Sequence, residues 1–181
     1  LNDTLSAQNS SSFVIKNSNP NTQINNYVIA FEDIKNSAWN DWDVNDFVAS
    51  LKQTIVTDLS LNITKITYDY EALARGSSFD HIFKHKVTLT GNTTTTLTVY
   101  DTLGNTIPAL SFSNQGNSGA FTTTIFPSSK AALPPAGGLF STNTSPLQGG
   151  VKKGYKAKLE ITVNNTSNPL SSFTVTDSDP Y

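Results

Sequence analysis

The strongest constraint on the fold is a missing pattern. Across 181 residues no segment sustains an apolar repeat of 3.6, yet short runs of Val, Ile, Phe, Tyr and Thr recur between Asn, Gly, Ser and Pro. A helix buries a stripe spaced at i, i+3, i+4 and i+7, whereas a strand needs only alternation. Strands are expected at about 12–16, 26–31, 46–57, 61–70, 82–90, 95–100, 107–112, 119–126, 155–163 and 171–176. In LEITV, Leu159, Ile161 and Val163 share one face, with Glu160 and Thr162 opposite. In LNITKITYDY the alternation is mixed: Ile63, Lys65, Thr67 and Asp69 share one face, and Asn62, Thr64, Ile66, Tyr68 and Tyr70 the other. Only 58–61 and 70–75 offer a helical turn. Many short strands separated by turn signals predict an all-β chain, an antiparallel β-sandwich with jelly-roll-like topology.

The length fits one domain, expected over 12–181 after a frayed polar segment, LNDTLSAQNSS, at 1–11. The stretch 128–150 has three of the eight prolines and four of the ten glycines and reads as a surface excursion. Charged residues are only 14% of the chain, and Ser, Thr and Asn fill about a third of it. A surface that is polar without being charged is common in proteins working outside the cytoplasm. The start at Leu1 reads as a processed or trimmed form.

Net charge is −2, and no basic cluster is denser than Lys152, Lys153, Lys156 and Lys158, which argues against nucleic acid as a partner. The absence of cysteine excludes disulfides and thiolate metal sites. No apolar run approaches the roughly 20 residues that span a bilayer.

The informative stretch is YVIAFEDIKNSAWNDWDVNDFVASL, 27–51. Glu32, Asp33, Asp41, Asp43 and Asp46, with Asn45, place five of the chain's fourteen acids within fifteen residues. Like charges packed this closely repel unless a cation lies between them. Hard oxygen donors without Cys or a nearby His suit Ca²⁺ better than Zn²⁺. Asp41, Asp43 and Asn45 form a D-x-D-x-N run, whose spacing lets alternate side chains converge on one ion. An EF-hand would need Gly at position 6 and Glu at position 12, where Asp46 and Lys52 stand. The competing reading is a solvated Asp/Asn-rich loop with no ion. Against it, the loop holds both tryptophans of the chain, Trp39 and Trp42, whose rings would pack over it and shield an ion.

Other candidates carry less. His81 and His85, four apart, would share a strand face and form a two-His metal site, but Asp80 is the only carboxylate beside them. Ser77 and Ser78 stand near His81 without a nucleophile-elbow frame, so catalysis has little support. Arg75, the only arginine, offers a planar fork of donors suited to bracing an acid near the metal loop; an exposed loop residue is the plainer alternative. GNTTTTLTV, 91–99, is expected as an exposed strand, one Thr run being too little for an ice-like lattice.

FED at 31–33 followed by D-x-D-x-N-D at 41–46 resembles the signature of the LruC-type domains of bacterial secreted and surface proteins and of related calcium-associated modules. EALARGSSFDHIF, 71–83, is similar to that family's A-R-G-x-x-x-x-H segment, and TDSDPY, 176–181, to its D-P-aromatic element. Ile82 departs from the pattern, which has a polar or acidic residue after the His. The resemblance covers about 25–95 and implies an extracytoplasmic location and a bound metal more than a molecular role.

The expectation is therefore a secreted or surface-exposed module that is not an enzyme. Its structural Ca²⁺ would neutralise the 32–46 loop and order a rim that binds a glycan or a protein partner. The alternative is a passive module of a surface adhesin or assembly, and a hydrolase comes third.

Overall fold

A computed structural model describes residues 13–16, 22–31, 46–77, 79–134, 141–144, 150–164 and 167–181. The alternating runs form eight strands among them: β1 Phe13–Lys16, β2 Thr22–Phe31, β3 Phe47–Thr57, β4 Ile63–Ala74, β5 Phe83–Tyr100, β6 Phe112–Phe126, β7 Lys156–Asn164 and β8 Ser178–Pro180. All pair antiparallel in the order β1-β2-β3-β4-β7-β5-β6, with β8 added to β5. The sheet curls into a half-barrel, so the chain is all-β and sandwich-like.

The curl is made by one bent ribbon. The expected strands 82–90 and 95–100 are a single strand, β5, and the break read between them is a corner. Gly91 stands there with φ 77°, and Gly119 on the facing strand β6 has φ 66°. Positive φ is open to Gly at little steric cost, so both strands turn together without ending. The register of the pair shifts between Thr88 and Asn92. Past the corner, Asn92–Tyr100 pairs with β7, while His85–Val87 pairs with β8. The first half of β5 then folds across β4, with the His85 ring 4.4 Å from Tyr68 and the Phe83 ring 5.7 Å from Tyr70.

Burial follows the alternation. Phe47, Ala49, Leu51 and Ile55 of β3, Ile66, Tyr68, Tyr70 and Ala72 of β4, and Leu159 and Ile161 of β7 face the core. The mixed pattern of β4 resolves through a register shift between Val56 and Thr57, which lets Ile63 be buried too. Phe31, Phe47, Phe83 and Phe126 join the two layers through ring contacts of 5.7–6.4 Å. Burying one such ring stabilises the fold by roughly 1.5–3 kcal/mol.

Three other expectations change. The run 107–112 opens with the 3₁₀ turn Pro108–Leu110, since proline lacks the N–H a ladder needs. The run 171–176 lies in the 3₁₀ turns Leu170–Ser172 and Val175–Asp177, and the last strand follows it. The 70–75 stretch continues β4 to Ala74, and a single helical turn, α1 Ser129–Ala132, lies in the 128–150 excursion.

Two loops share one design. In DLSLN the Asp58 carboxylate accepts from the N–H of Ser60 and of Asn62, both at 2.9 Å. In DTLGN the Asp101 carboxylate accepts likewise from Leu103 at 2.8 Å and Asn105 at 2.9 Å. The fourth position is left-handed in both, Gly104 with φ 89° and Leu61 with φ 62°. A left-handed conformation costs a non-glycine residue about 1–2 kcal/mol, and Leu61 is half exposed, with little packing to offset it. Leu61→Gly is therefore expected to raise the free energy of unfolding by about 0.5–1 kcal/mol in urea titration, once the extra freedom of the unfolded glycine is subtracted. An unchanged or lower midpoint would mean that Leu61 is not strained.

Candidate functional site

Of the six residues expected to hold the metal, Asp46 is described; Glu32, Asp33, Asp41, Asp43 and Asn45 lie outside the described residues. Asp46 opens β3 and is buried, 8% exposed. Its N–H donates to Phe31 O at 3.1 Å, and Phe31 pairs with Phe47. The hairpin thus clamps the two ends of the acidic segment side by side, with one carboxylate at the root. Among the described residues no group of three or more His, Asp or Glu is placed to hold a metal.

The other singled-out segments emerge at the same end of the sheet, where β4 finishes and β5 begins. Arg75 is fully buried. Its Nη1 donates to Ser77 O at 2.6 Å and its Nε to Leu133 O at 3.3 Å. Its backbone pairs both ways with Thr142, at 2.9 and 2.7 Å. Arg75 is therefore not an exposed loop residue, and the described bonds of its guanidinium go to main-chain carbonyls. Burial lowers its pKa, and the nearby Asp80 acts the other way.

Asp80 accepts from Ser128 Oγ at 2.8 Å, Ser129 Oγ at 3.3 Å and Lys130 N–H at 3.0 Å. Burial pushes its pKa up, but hydrogen bonds from Lys130, Ser128 and Ser129 outweigh that and hold it below the usual carboxylate value. The His81 main chain pairs with Ser129, donating to its Oγ at 3.0 Å and accepting from its N–H at 2.8 Å. Asp80 and His81 thus anchor α1 against the start of β5.

The two histidines do not share a strand face. His81 precedes β5, while His85 lies within it and points inward with no exposed surface. The His85 Nδ1 is hydrogen-bonded to the Tyr70 hydroxyl, and its Nε2 lies 3.0 Å from Ser178 Oγ on β8. Both ring nitrogens of His85 are thus engaged, which argues against the paired-histidine metal site.

His85 belongs to a buried polar chain that sequence reasoning missed. Asn25 Nδ2 donates to Gln53 Oε1 at 2.8 Å, and Gln53 Nε2 lies 3.4 Å from both the Tyr68 hydroxyl and Ser178 Oγ. Burial drives the His85 pKa from 6.5 down to about 3, so the ring is neutral at ordinary pH. Burial raises Tyr68 to about 12 and Tyr70 well above 10, so both keep their protons. The signal was present in the pattern: Gln53 sits between Leu51 and Ile55, and His85 between Phe83 and Val87, each at an inward position.

No family model, curated protein or solved structure matches this chain. The hairpin root at Phe31 and Asp46 and the Arg75–His81 segment share one end of the sheet, and Tyr181 pairs both ways with Lys84, three residues past His81.

The outward face of β2, β3, β4 and β7 forms a groove of about 510 Å³, lined among others by Asn26, Lys52, Asp69, Glu71 and Lys156. Opposite charges alternate across it, with Lys156 3.5 Å from Glu71; beside it Lys65 lies 2.6 Å from Glu160. Exposed pairs of this kind contribute about 0–1 kcal/mol each. Among the described residues no helix is long and apolar enough to cross a membrane.

Proposed function

We propose that the chain is a secreted or surface-exposed calcium-binding β-sandwich module, acting by binding a glycan or protein partner and not by catalysis. The observation that carries this reading is the clamped hairpin root. Phe31 and Asp46 hold together the ends of a segment with four further carboxylates and Asn45, at the end of the sheet where the Arg75–His81 segment also emerges. The resemblance to LruC-type domains supports the metal and the location. Glu32, Asp33, Asp41, Asp43, Asn45 and Asp46 would supply the oxygens, and the ion would fix the shape of the rim. A bound calcium also holds its carboxylates ionised, which suits a binding surface and opposes the raised pKa a general acid needs.

Calorimetry on EDTA-stripped protein is the direct test. Ca²⁺ is expected to bind, with Mg²⁺ weaker because its small octahedral shell fits a multidentate loop poorly. Flat titrations with both ions would remove the calcium reading. A glycan array probed with calcium-loaded and EDTA-treated protein then separates a carbohydrate-binding rim from a passive module of a surface assembly.

A further inference from the structure

Inside the sandwich, side chains from β2, β3, β4, β5 and β8 converge on one amide. Gln53 is 5% exposed. Its carbonyl oxygen accepts from Asn25 Nδ2 at 2.8 Å, and its nitrogen lies 3.4 Å from Ser178 Oγ and 3.4 Å from the Tyr68 hydroxyl. Ser178 Oγ lies 3.0 Å from His85 Nε2, and the other nitrogen of that ring is held by the Tyr70 hydroxyl. A hydroxyl beside an oriented imidazole, next to a carbonyl whose oxygen already faces a donor, has the parts of an acyl transfer. The acyl group is the protein's own glutamine.

We propose that Ser178 and Gln53 become joined by an intramolecular ester, formed by the folded chain itself. In the tautomer with its proton on Nδ1, shared with Tyr70, His85 Nε2 accepts the Ser178 hydroxyl proton as Oγ bonds to the Gln53 Cδ. Negative charge then develops on Oε1, where Asn25 Nδ2 donates. The imidazolium returns the proton to Nε2 of Gln53, the Cδ–Nε2 bond breaks, and ammonia leaves. The Tyr68 hydroxyl, beside the departing nitrogen, keeps its own proton. One N–H₂ is exchanged for one O-acyl bond, with no oxidant, reductant or co-reactant.

The surroundings favour the product. Tyr68 and His85 have no exposed surface, so solvent is kept from the side of the bond that they cover. Ser178 is only half-buried, which leaves ammonia a way out. Burial makes His85 a weak base and the step slow, but a bond made once per molecule needs no turnover. The bond would fasten β8, which pairs with β5 at only three positions, to β3 on the opposite layer. The proposal does not depend on calcium.

The intact mass of the full chain, purified and held for days at neutral pH, decides the matter. The expected mass is one ammonia below that of the sequence, and a protease digest yields the peptide containing Gln53 joined to the peptide containing Ser178. Hydroxylamine should cleave the link. Ser178→Ala and Gln53→Leu are expected to keep the full mass, and His85→Gln to form the bond more slowly. Full mass in the unaltered chain would overturn the proposal. A missing ammonia that persists in Ser178→Ala would also overturn it, since the loss would then arise elsewhere.

Discussion

Between pH 6.5 and pH 4.5 the protein is expected to lose roughly 2 kcal/mol of stability through one side chain, His85. Its ring lies within the core against Tyr68 and Tyr70, and burial takes its pKa from 6.5 to about 3. In the unfolded chain the imidazole takes up a proton below about 6.5; in the folded chain it does so only near 3. Over that window the unfolded state binds more protons, so stability rises with pH. The contribution is complete above pH 6.5 and shrinks by about 1.4 kcal/mol per unit as pH falls. Asp58, Asp80, Asp101 and Glu160 also have lowered pKa values and destabilise in the same direction on acidification. Their unfolded pKa values lie near 4, so between pH 6.5 and 4.5 they add less than the histidine does, and the comparison with His85→Gln subtracts their share. Urea titrations at several pH values check this on the unaltered chain and on His85→Gln, which keeps a polar amide toward Ser178 and removes the titration. The variant is expected to be less stable at pH 7 and nearly flat down to pH 4.5. Parallel slopes in both proteins would show that His85 is not the source.

The fold was legible where one residue type per position settles the face. LEITV became the core of β7 because Leu159 and Ile161 leave only one face to bury. The corner at Gly91 was misread as a gap, since Gly-Asn signals a turn by composition and the local sequence cannot tell a turn that ends a strand from a bend within one. Gln53 draws no attention in the sequence, and His85 suggests only a pairing with His81, for a related reason. Each interrupts an apolar face, and a single polar residue there reads as noise until its partners, Ser178 among them for both, are brought beside it. β8 has three residues with Pro180 among them, and its place is set by pairing with β5 and not by any propensity of its own. The acidic segment is the opposite case. Its spacing carries chemical information without the fold, and the fold adds where its ends are clamped. Arg75 lies between these extremes: its fork of donors points to an acid near the metal loop, whereas the described guanidinium acceptors, Ser77 O and Leu133 O, are main-chain carbonyls.

On the calcium reading, chelation is expected to lower the melting temperature by about 5–10 °C. An ion that binds only the folded state stabilises it by RT ln(1 + [L]/Kd), about 2.7 kcal/mol at a hundredfold excess over Kd. For a chain of this size each kcal/mol moves the midpoint by about 2–4 °C. The comparison is a thermal melt in calcium against one in EDTA, at constant ionic strength and neutral pH so that His85 stays uncharged throughout. Asp43→Ala is expected to melt like the EDTA-treated protein and to be indifferent to EDTA, because it removes a ligand without touching the hairpin root. Asp46→Ala differs, since its side chain is buried where β3 begins, and it should lose stability in EDTA as well as in calcium. The pair of variants therefore separates two roles that both lie in the acidic segment, ion holding and strand anchoring. If Asp43→Ala melts normally and still responds to EDTA, the ion is held elsewhere. If neither variant nor chelator moves the midpoint, the five carboxylates are a solvated loop, and the binding function must rest on the rest of the rim.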